Sequence, residues 1–229
     1  LSADTVQRER IIVFAKYPHA GFVKTRLIPA LGANGAAELH EMFTRATLAI
    51  AKEACEGRSC DLDIRFVGGN CDQMRKLFGS EFCFSQQQGN TLGERLAHAV
   101  AKAFDEGFAR VVVIGTDCPE LETSFLTWAF DCLLSNDMVL GPAMDGGYYL
   151  IGLRANQPEL FREIDWGTDK VLAQTIDIGH RLGCRISQLK VLRDVDEPQD
   201  LAACRSAIED FADDLPETLR QWYHLASAD

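Results

Sequence analysis

Arg110-Val-Val-Val-Ile-Gly115-Thr-Asp-Cys-Pro-Glu-Leu121 is the stretch from which the fold can be read. Four β-branched residues in succession suit a strand in the interior of a parallel sheet, covered by helices on both faces. A strand with one wet face would alternate instead. Gly115 ends the run, and Thr116, Asp117 and Cys118 follow at once. In open α/β sheets ligands bind outside the carboxyl ends of the strands. Asp117 therefore stands where a ligand to Mg2+ or Mn2+ is expected, since hard cations take carboxylate oxygens and leave positions for phosphate and water. Thr116 beside it is a candidate nucleotide contact. The plainer alternative is that Asp117 only organises the turn before Pro119. Cys118 has no recognisable partner base and reads as a packed thiol.

Upstream, Ile11 to Ala15 is a short apolar run that suits a buried first strand, and it leads into Phe14-Ala-Lys-Tyr-Pro-His-Ala-Gly-Phe-Val-Lys-Thr-Arg-Leu27. This loop offers positive charge from Lys16, Lys24 and Arg26, a hydroxyl from Thr25, and backbone freedom at Gly21. It reads as a phosphate-holding loop in which Lys24 and Arg26 stabilise developing charge, or else as a solvated basic turn. Downstream, Leu140-Gly-Pro-Ala-Met-Asp-Gly-Gly-Tyr-Tyr-Leu150 suits a polar acceptor. Asp145 could bind a hydroxyl or act as a base, Gly146 and Gly147 could present amides, and Tyr148 could supply a stacking face. An Asp-Gly-Gly turn between two strands is the competing reading. In Asp194-Val-Asp-Glu-Pro-Gln-Asp-Leu201 one carboxylate is expected to reach a metal; Asp196 is taken, with Asp194 as the alternative. Trp166-Gly-Thr-Asp169 is a weaker candidate for the acceptor side, and Gln86 to Thr91 for a base or phosphate contact. The histidines read as structural or solvent-facing, apart from His19 in the basic loop.

The remaining elements alternate. Helical spacing runs from Asn34, a possible N-cap, to about Cys55, with Gly57 beyond its end. Leu62–Val67 reads as a strand, Cys71–Phe78 as a helix, Phe82–Phe84 as a short strand, and Thr91–Phe104 as a helix opened by a Thr91/Glu94 capping box. Glu122–Leu134 suits a helix, Met138–Leu140 and Tyr148–Leu153 strands, Thr168–Leu182 a helix capped by Thr168, Arg185–Leu192 a strand, and the chain from Pro198 mostly helix. Such alternation argues for an α/β fold with a mostly parallel sheet and helices on both faces, in one domain over residues 1–229.

Composition bounds the partners. Of 229 residues 47% are hydrophobic and 25% charged, the balance of a folded globular chain. A formal net charge of -11 disfavours nucleic-acid polymers and acidic membranes, so a basic loop on an acidic protein suggests a small anionic ligand. The eight cysteines form no C-x-x-C pair, and free thiols favour a reducing cytoplasm. No window reaches the roughly 20 apolar residues of a membrane span, and the first ten residues lack an apolar signal core.

Taken together, Phe-Ala-Lys-x-Pro-x-x-Gly-x-Val-Lys-Thr-Arg-Leu at 14–27, Gly-Thr-Asp-Cys-Pro at 115–119 and Gly-Pro-Ala-x-Asp-Gly-Gly-Tyr-Tyr-Leu at 141–150 resemble a family of bacterial glycosyltransferase-A-like proteins, described as nucleotide-diphospho-sugar transferase-like. More distantly the chain is similar to the nucleotidyltransferases that make molybdenum-cofactor dinucleotides or the guanylyl adduct of phospholactate. The resemblance implies a Rossmann-like glycosyltransferase-A fold, a nucleotide near the first loop, and a divalent cation at Asp117 with Asp196 at the later acidic position. Two features depart from related enzymes. The Leu-Ala-x-Gly-x-Gly-x-Arg-Met loop of many sugar nucleotidyltransferases is replaced by Lys16 to Arg26, and the central site carries one carboxylate rather than Asp-x-Asp. Expected partners are a nucleotide sugar or a nucleoside triphosphate and a small acceptor. The reaction is then glycosyl transfer or nucleotidyl transfer, and a non-catalytic nucleotide or sugar-phosphate sensor is the reading from another class.

Overall fold

The computed structural model describes residues 8–58 and 60–209. Seven strands form one sheet in the order β3-β2-β1-β4-β6-β5-β7. They are β1 Glu9–Lys16, β2 Asp61–Val67, β3 Phe84–Gln86, β4 Arg110–Ile114, β5 Met138–Pro142, β6 Tyr148–Leu153 and β7 Ile186–Gln188. β1 pairs in parallel with β2 and β4, β2 with β3, and β5 with β7. β6 is inserted antiparallel between β4 and β5. The β-branched run is thus central, with Val111–Ile114 buried.

Alternation along β1 divides the core. Ile11, Val13 and Ala15 pack with α1 (Ile28–Arg58), α2 (Cys71–Phe78) and α4 (Thr123–Cys132) through Leu48, Met74, Phe78, Leu126 and Phe130. Ile12 and Val113 face the other way, onto α3 (Leu92–Asp105) and α5 (Val171–Arg181) through Leu96, Val100, Val171 and Ile178. A third cluster lies off the sheet. In it Leu27, Leu31, Leu39 and Phe43 pack on Val195, on Leu201 of α6 (Pro198–Ala203), on Cys204 just after it and on Ile208 of α7 (Arg205–Glu209). Burying such side chains stabilises by about 1.5–3 kcal/mol each, so this cluster fixes the basic loop against the segment that carries Asp194 and Asp196.

Several boundaries differ from the sequence expectations. α1 starts at Ile28, with Pro29 in its first turn where the missing N–H costs nothing. It breaks at Gly32 (φ 70°, ψ 167°), two residues before the expected cap Asn34, and runs through Gly57 to Arg58. The third strand pairs two residues later than expected, Ile64 with Phe84 through Phe66 with Gln86. β7 is shorter than its apolar run, which continues as a single bridge from Ala143 to Leu192. α5 begins only at Val171, because Thr168 is held in the preceding turn by donating from Oγ1 to Asp165 O at 2.7 Å. The expected Thr91/Glu94 capping box of α3 is formed, and α2 opens with a further one, Asn70/Gln73, that was not among the expectations. Of the C-terminal helix expected from Pro198, residues 210–229 lie outside the described residues, as do His224 and the first seven residues. All eight cysteines are free, and no helix among the described residues is long and apolar enough to cross a membrane.

Candidate active site

β1 ends at Lys16 on the carboxyl edge of the sheet, and the loop from Tyr17 returns toward that edge at Lys24. Lys24 adopts a left-handed backbone (φ 46°, ψ 42°) just before a short helical turn at Thr25–Leu27. A residue with a Cβ holds that geometry at a cost of about 1–2 kcal/mol. Leu27, fully buried in the third cluster, offsets it from one side. The lysine side chain offsets it from the other: Nζ donates to Val195 O at 2.7 Å and to Asp196 Oδ1 at 3.0 Å, and forms an ion pair with Asp117. Only 3% of that side chain is exposed. The far-separated residues Lys24, Asp117 and Asp196 therefore meet at one point, at the carboxyl end of β4. A backbone bond from Val195 N to Asp117 O at 3.0 Å clamps the two acidic segments together.

Burial alone would raise the Asp117 carboxyl, but Lys24, with His40 and Lys16 in support, holds it down at about 2. Lys24 is raised in turn, its two carboxylates outweighing burial. His40, on α1, lies beside this group with Nδ1 3.9 Å from Asp117 Oδ1 and Nε2 3.2 Å from Lys16 O. Burial lowers its pKa, and Lys24 adds to the effect against Asp117, so the ring is neutral at pH 7. The sequence marks His40 only as structural or solvent-facing, since a lone histidine on an apolar helix face carries no signal of what lies above it. Burial and Asp117 push the Cys118 thiol well up, consistent with a packed thiol.

A cavity of about 420 Å³ opens over this cluster. Lys16, Asp117, Asp194 and Asp196 line it together with Asp145, Gly147 and Tyr148. The far wall is formed by Leu92, Leu96, Trp166, Gly167 and Thr168, with Trp166 edge-on to Tyr148 at 6.3 Å between centroids. Asp145 also closes the β5–β6 turn by accepting from Gly147 N at 2.7 Å, so turn formation and cavity lining coexist in one side chain. Gly146 (φ 88°) brings its backbone against Asp169 and accepts from Leu172 N at 2.9 Å, which ties this turn to the start of α5. Gly21, Lys24, Thr25, Arg26, Thr116 and Gly146 do not line the cavity, Lys24 lying beneath it behind Asp117 and Asp196. Gly21 and Thr25 are exposed, Thr116 is buried, and Arg26 is 68% exposed at the rim, 3.6 Å from Glu197. Gln87, within the segment 86–91 expected to contact a base or phosphate, lines the cavity, and so does Arg95, which carries no sequence signal for it. Arg95 is held by Gly89 O at 3.0 Å and Gln87 by Arg65 O at 3.0 Å.

The expectation that only one of Asp194 and Asp196 faces the site is corrected. Residues two apart in an extended chain share a face; Val195 between them points into the third cluster and both carboxylates line the cavity. Burial, then Asp145 and Asp196, push Asp194 up to about 6. Its folded pKa thus exceeds the ordinary carboxylate value, so it favours the folded state only below about pH 4 and costs stability as pH rises to about 6 and beyond. Asp194→Asn is accordingly expected to stabilise the ligand-free protein at pH 7.5 by on the order of 1 kcal/mol, discounted for partial exposure. Urea unfolding at pH 7.5 and pH 4 measures this; a gain of equal size at both values would assign the effect to something other than charge.

The donor set suits a small, hard dication. Asp117 and Asp196 converge on a single ammonium and two more carboxylates line the same cavity. Among the described residues no group of three or more His, Cys, Asp or Glu side chains is placed to hold a metal ion by itself. A cation held by Asp117 and Asp196 would complete its shell with phosphate oxygens and water, the usual arrangement for Mg2+.

No curated protein matches the chain. Among solved structures it is similar to a candidate nucleotide-diphospho-sugar transferase from Desulfovibrio desulfuricans, with 32% identity over 95% of this chain and 99% of the other and a TM-score of 0.79. The fold is shared with CMP:2-keto-3-deoxy-manno-octonic acid synthetase in complex with CTP (12% identity, 89% and 99% coverage, TM-score 0.54). It is shared also with glucosyl-3-phosphoglycerate synthase from Mycobacterium tuberculosis in complex with Mn2+, UDP and glucosyl-3-phosphoglycerate (14%, 92% and 80%, 0.55). Residues 50–168 match the model of a family described as uncharacterized protein conserved in bacteria, DUF2064. The chain belongs to this bacterial family and has the Rossmann-like glycosyltransferase-A fold of nucleotide-diphospho-sugar transferases.

Proposed function

We propose that the protein is a nucleotide-sugar-dependent glycosyltransferase that uses Mg2+ or Mn2+ to stabilise the departing nucleoside diphosphate. The meeting of Lys24, Asp117 and Asp196 beneath a cavity with a separate aromatic wall carries this reading. Asp117 and Asp196 would hold the cation, which when bound supplies positive charge to the diphosphate oxygens. Lys16 and Lys24 add charge from the chain itself, and Arg26 at the rim meets the outer phosphate. Asp145, with Tyr148 and Trp166, faces the acceptor: the carboxylate takes a hydroxyl proton while the rings present an apolar face to the sugar. Gly147, in the cavity wall, lets that ligand come close to the backbone.

Nucleotidyl transfer from a nucleoside triphosphate to a phosphorylated acceptor is the second reading, favoured by Lys16, a cation in the cavity wall additional to the buried Lys24. A thermal-shift screen of nucleotide sugars and nucleoside triphosphates, each with Mn2+ and with chelator, selects the donor. Product analysis then separates the reactions: glycosyl transfer releases a nucleoside diphosphate, nucleotidyl transfer releases pyrophosphate. Stabilisation by no nucleotide under either condition would end both readings, and metal-independent binding without turnover would favour a sensor.

A further inference from the structure

Lys24 is fully committed inside the protein. An ammonium has three donors, and here Asp117, Asp196 and the carbonyl of Val195 take all of them. A lysine so bound has no proton left for a phosphate oxygen, although it lies in the loop best suited to phosphate. The two carboxylates that a divalent cation would need are occupied by the same group. A dication and an ammonium repel, and the position between Asp117 Oδ1 and Asp196 Oδ1, where a dication would bridge the two carboxylates, is filled by Nζ. The backbone at the lysine itself is strained, left-handed at φ 46°, and Phe22 on the same loop is 76% exposed.

We propose that Lys24 is a resident counter-cation that Mg2+ or Mn2+ displaces, so that arrival of the metal releases the ammonium to the phosphates. The proposal rests on the reading of this cavity as a metal and phosphate site. It makes metal and nucleotide binding mutually reinforcing through one side chain: with the lysine in place the site binds metal weakly, because only the fraction with displaced lysine is competent. A phosphate that takes up the freed ammonium enlarges that fraction.

Mn2+ titration of the nucleotide-free protein, followed by the electron paramagnetic resonance of free Mn2+, tests the exchange. Lys24→Met is expected to bind Mn2+ at least tenfold more tightly than the wild type and to lose most of the gain in Mn2+ affinity that nucleotide gives the wild type. Equal or weaker Mn2+ binding by a folded Lys24→Met protein would overturn the proposal. Should that variant fail to fold, acylation of Lys24 in the wild type by an amine-reactive ester, mapped by peptide mass spectrometry, decides the matter. Modification is expected to be slow without metal and several-fold faster with saturating Mn2+; an unchanged rate overturns it. A protein that transfers sugar without this exchange sinks the exchange alone. One that shows the exchange but turns over no donor sinks the reaction proposed above and leaves the exchange standing.

Discussion

Asp117→Asn is expected to abolish the Mn2+ enhancement of nucleotide binding and to lower the rate of transfer by about 10²–10³-fold, the range found when one group that stabilises transition-state charge is removed. The side chain is 46% exposed toward the cavity and held down at about 2, so at neutral pH it is a full anion facing the ligand. Asparagine keeps the shape and a carbonyl oxygen but removes that charge. Stability should also fall, because the buried Lys24 ammonium then keeps only one anionic partner, and weakening a charged hydrogen bond at a buried group costs about 1–3 kcal/mol. Isothermal titration of the donor selected by the screen, with Mn2+ and with chelator, reads the first effect, and urea unfolding reads the second. Undiminished Mn2+ enhancement in the variant would remove Asp117 from the metal site.

Gly146→Ala should produce the largest loss of stability of any single methyl group placed on the β5–β6 turn. At φ 88° a Cβ is strained in any surroundings, and here it would lie 2.2 Å from the carbonyl oxygen of Asp169 and 2.6 Å from its Cα. Both are backbone atoms, which cannot swing aside as a side-chain tip can. The turn that carries Asp145 would have to separate from the start of α5 and give up the bond from Leu172 N to Gly146 O. A loss of roughly 3 kcal/mol or more is expected from overpacking and strain combined. Gly167→Ala is the matched comparison: its φ of 81° is equally unfavourable, but a Cβ there meets nothing within 4 Å, so the cost should be about 1 kcal/mol. Denaturation midpoints that coincide for the two variants would mean that the contact with Asp169 is not tight.

What the chain reveals by reading alone depends on how local the determinants are. The Val111–Ile114 run and the capping boxes of α2 and α3 are local signals, and those elements fall where expected. The start of α1 was missed because Ile28 and Pro29 precede the periodic apolar residues and Gly32 interrupts the pattern. β3 is three residues long, and its register is set by pairing with β2 rather than by its own composition. Direction in the sheet was legible only in part: the Asp-Gly-Gly turn hints at a hairpin, yet nothing in Tyr148–Leu153 says that this strand lies between β4 and β5. The site shows the same division. Lys24, Asp117 and Asp196 could be chosen by residue type and position near strand ends, and the shared face of Asp194 and Asp196 follows from their two-residue spacing, whereas His40 beside Asp117 is placed only by the packing of α1.

The reversed strand has a further consequence. Because β6 runs against its neighbours, the turn at which it begins emerges on the rim where β1 and β4 finish. One half of the crevice is thus written in a hairpin and the other in crossover loops, with separate stretches of chain for each. Insertions at residues 143–147 could refashion the pocket for a new recipient molecule while leaving the cationic half as it stands, which offers descendants of this scaffold an economical route to altered specificity.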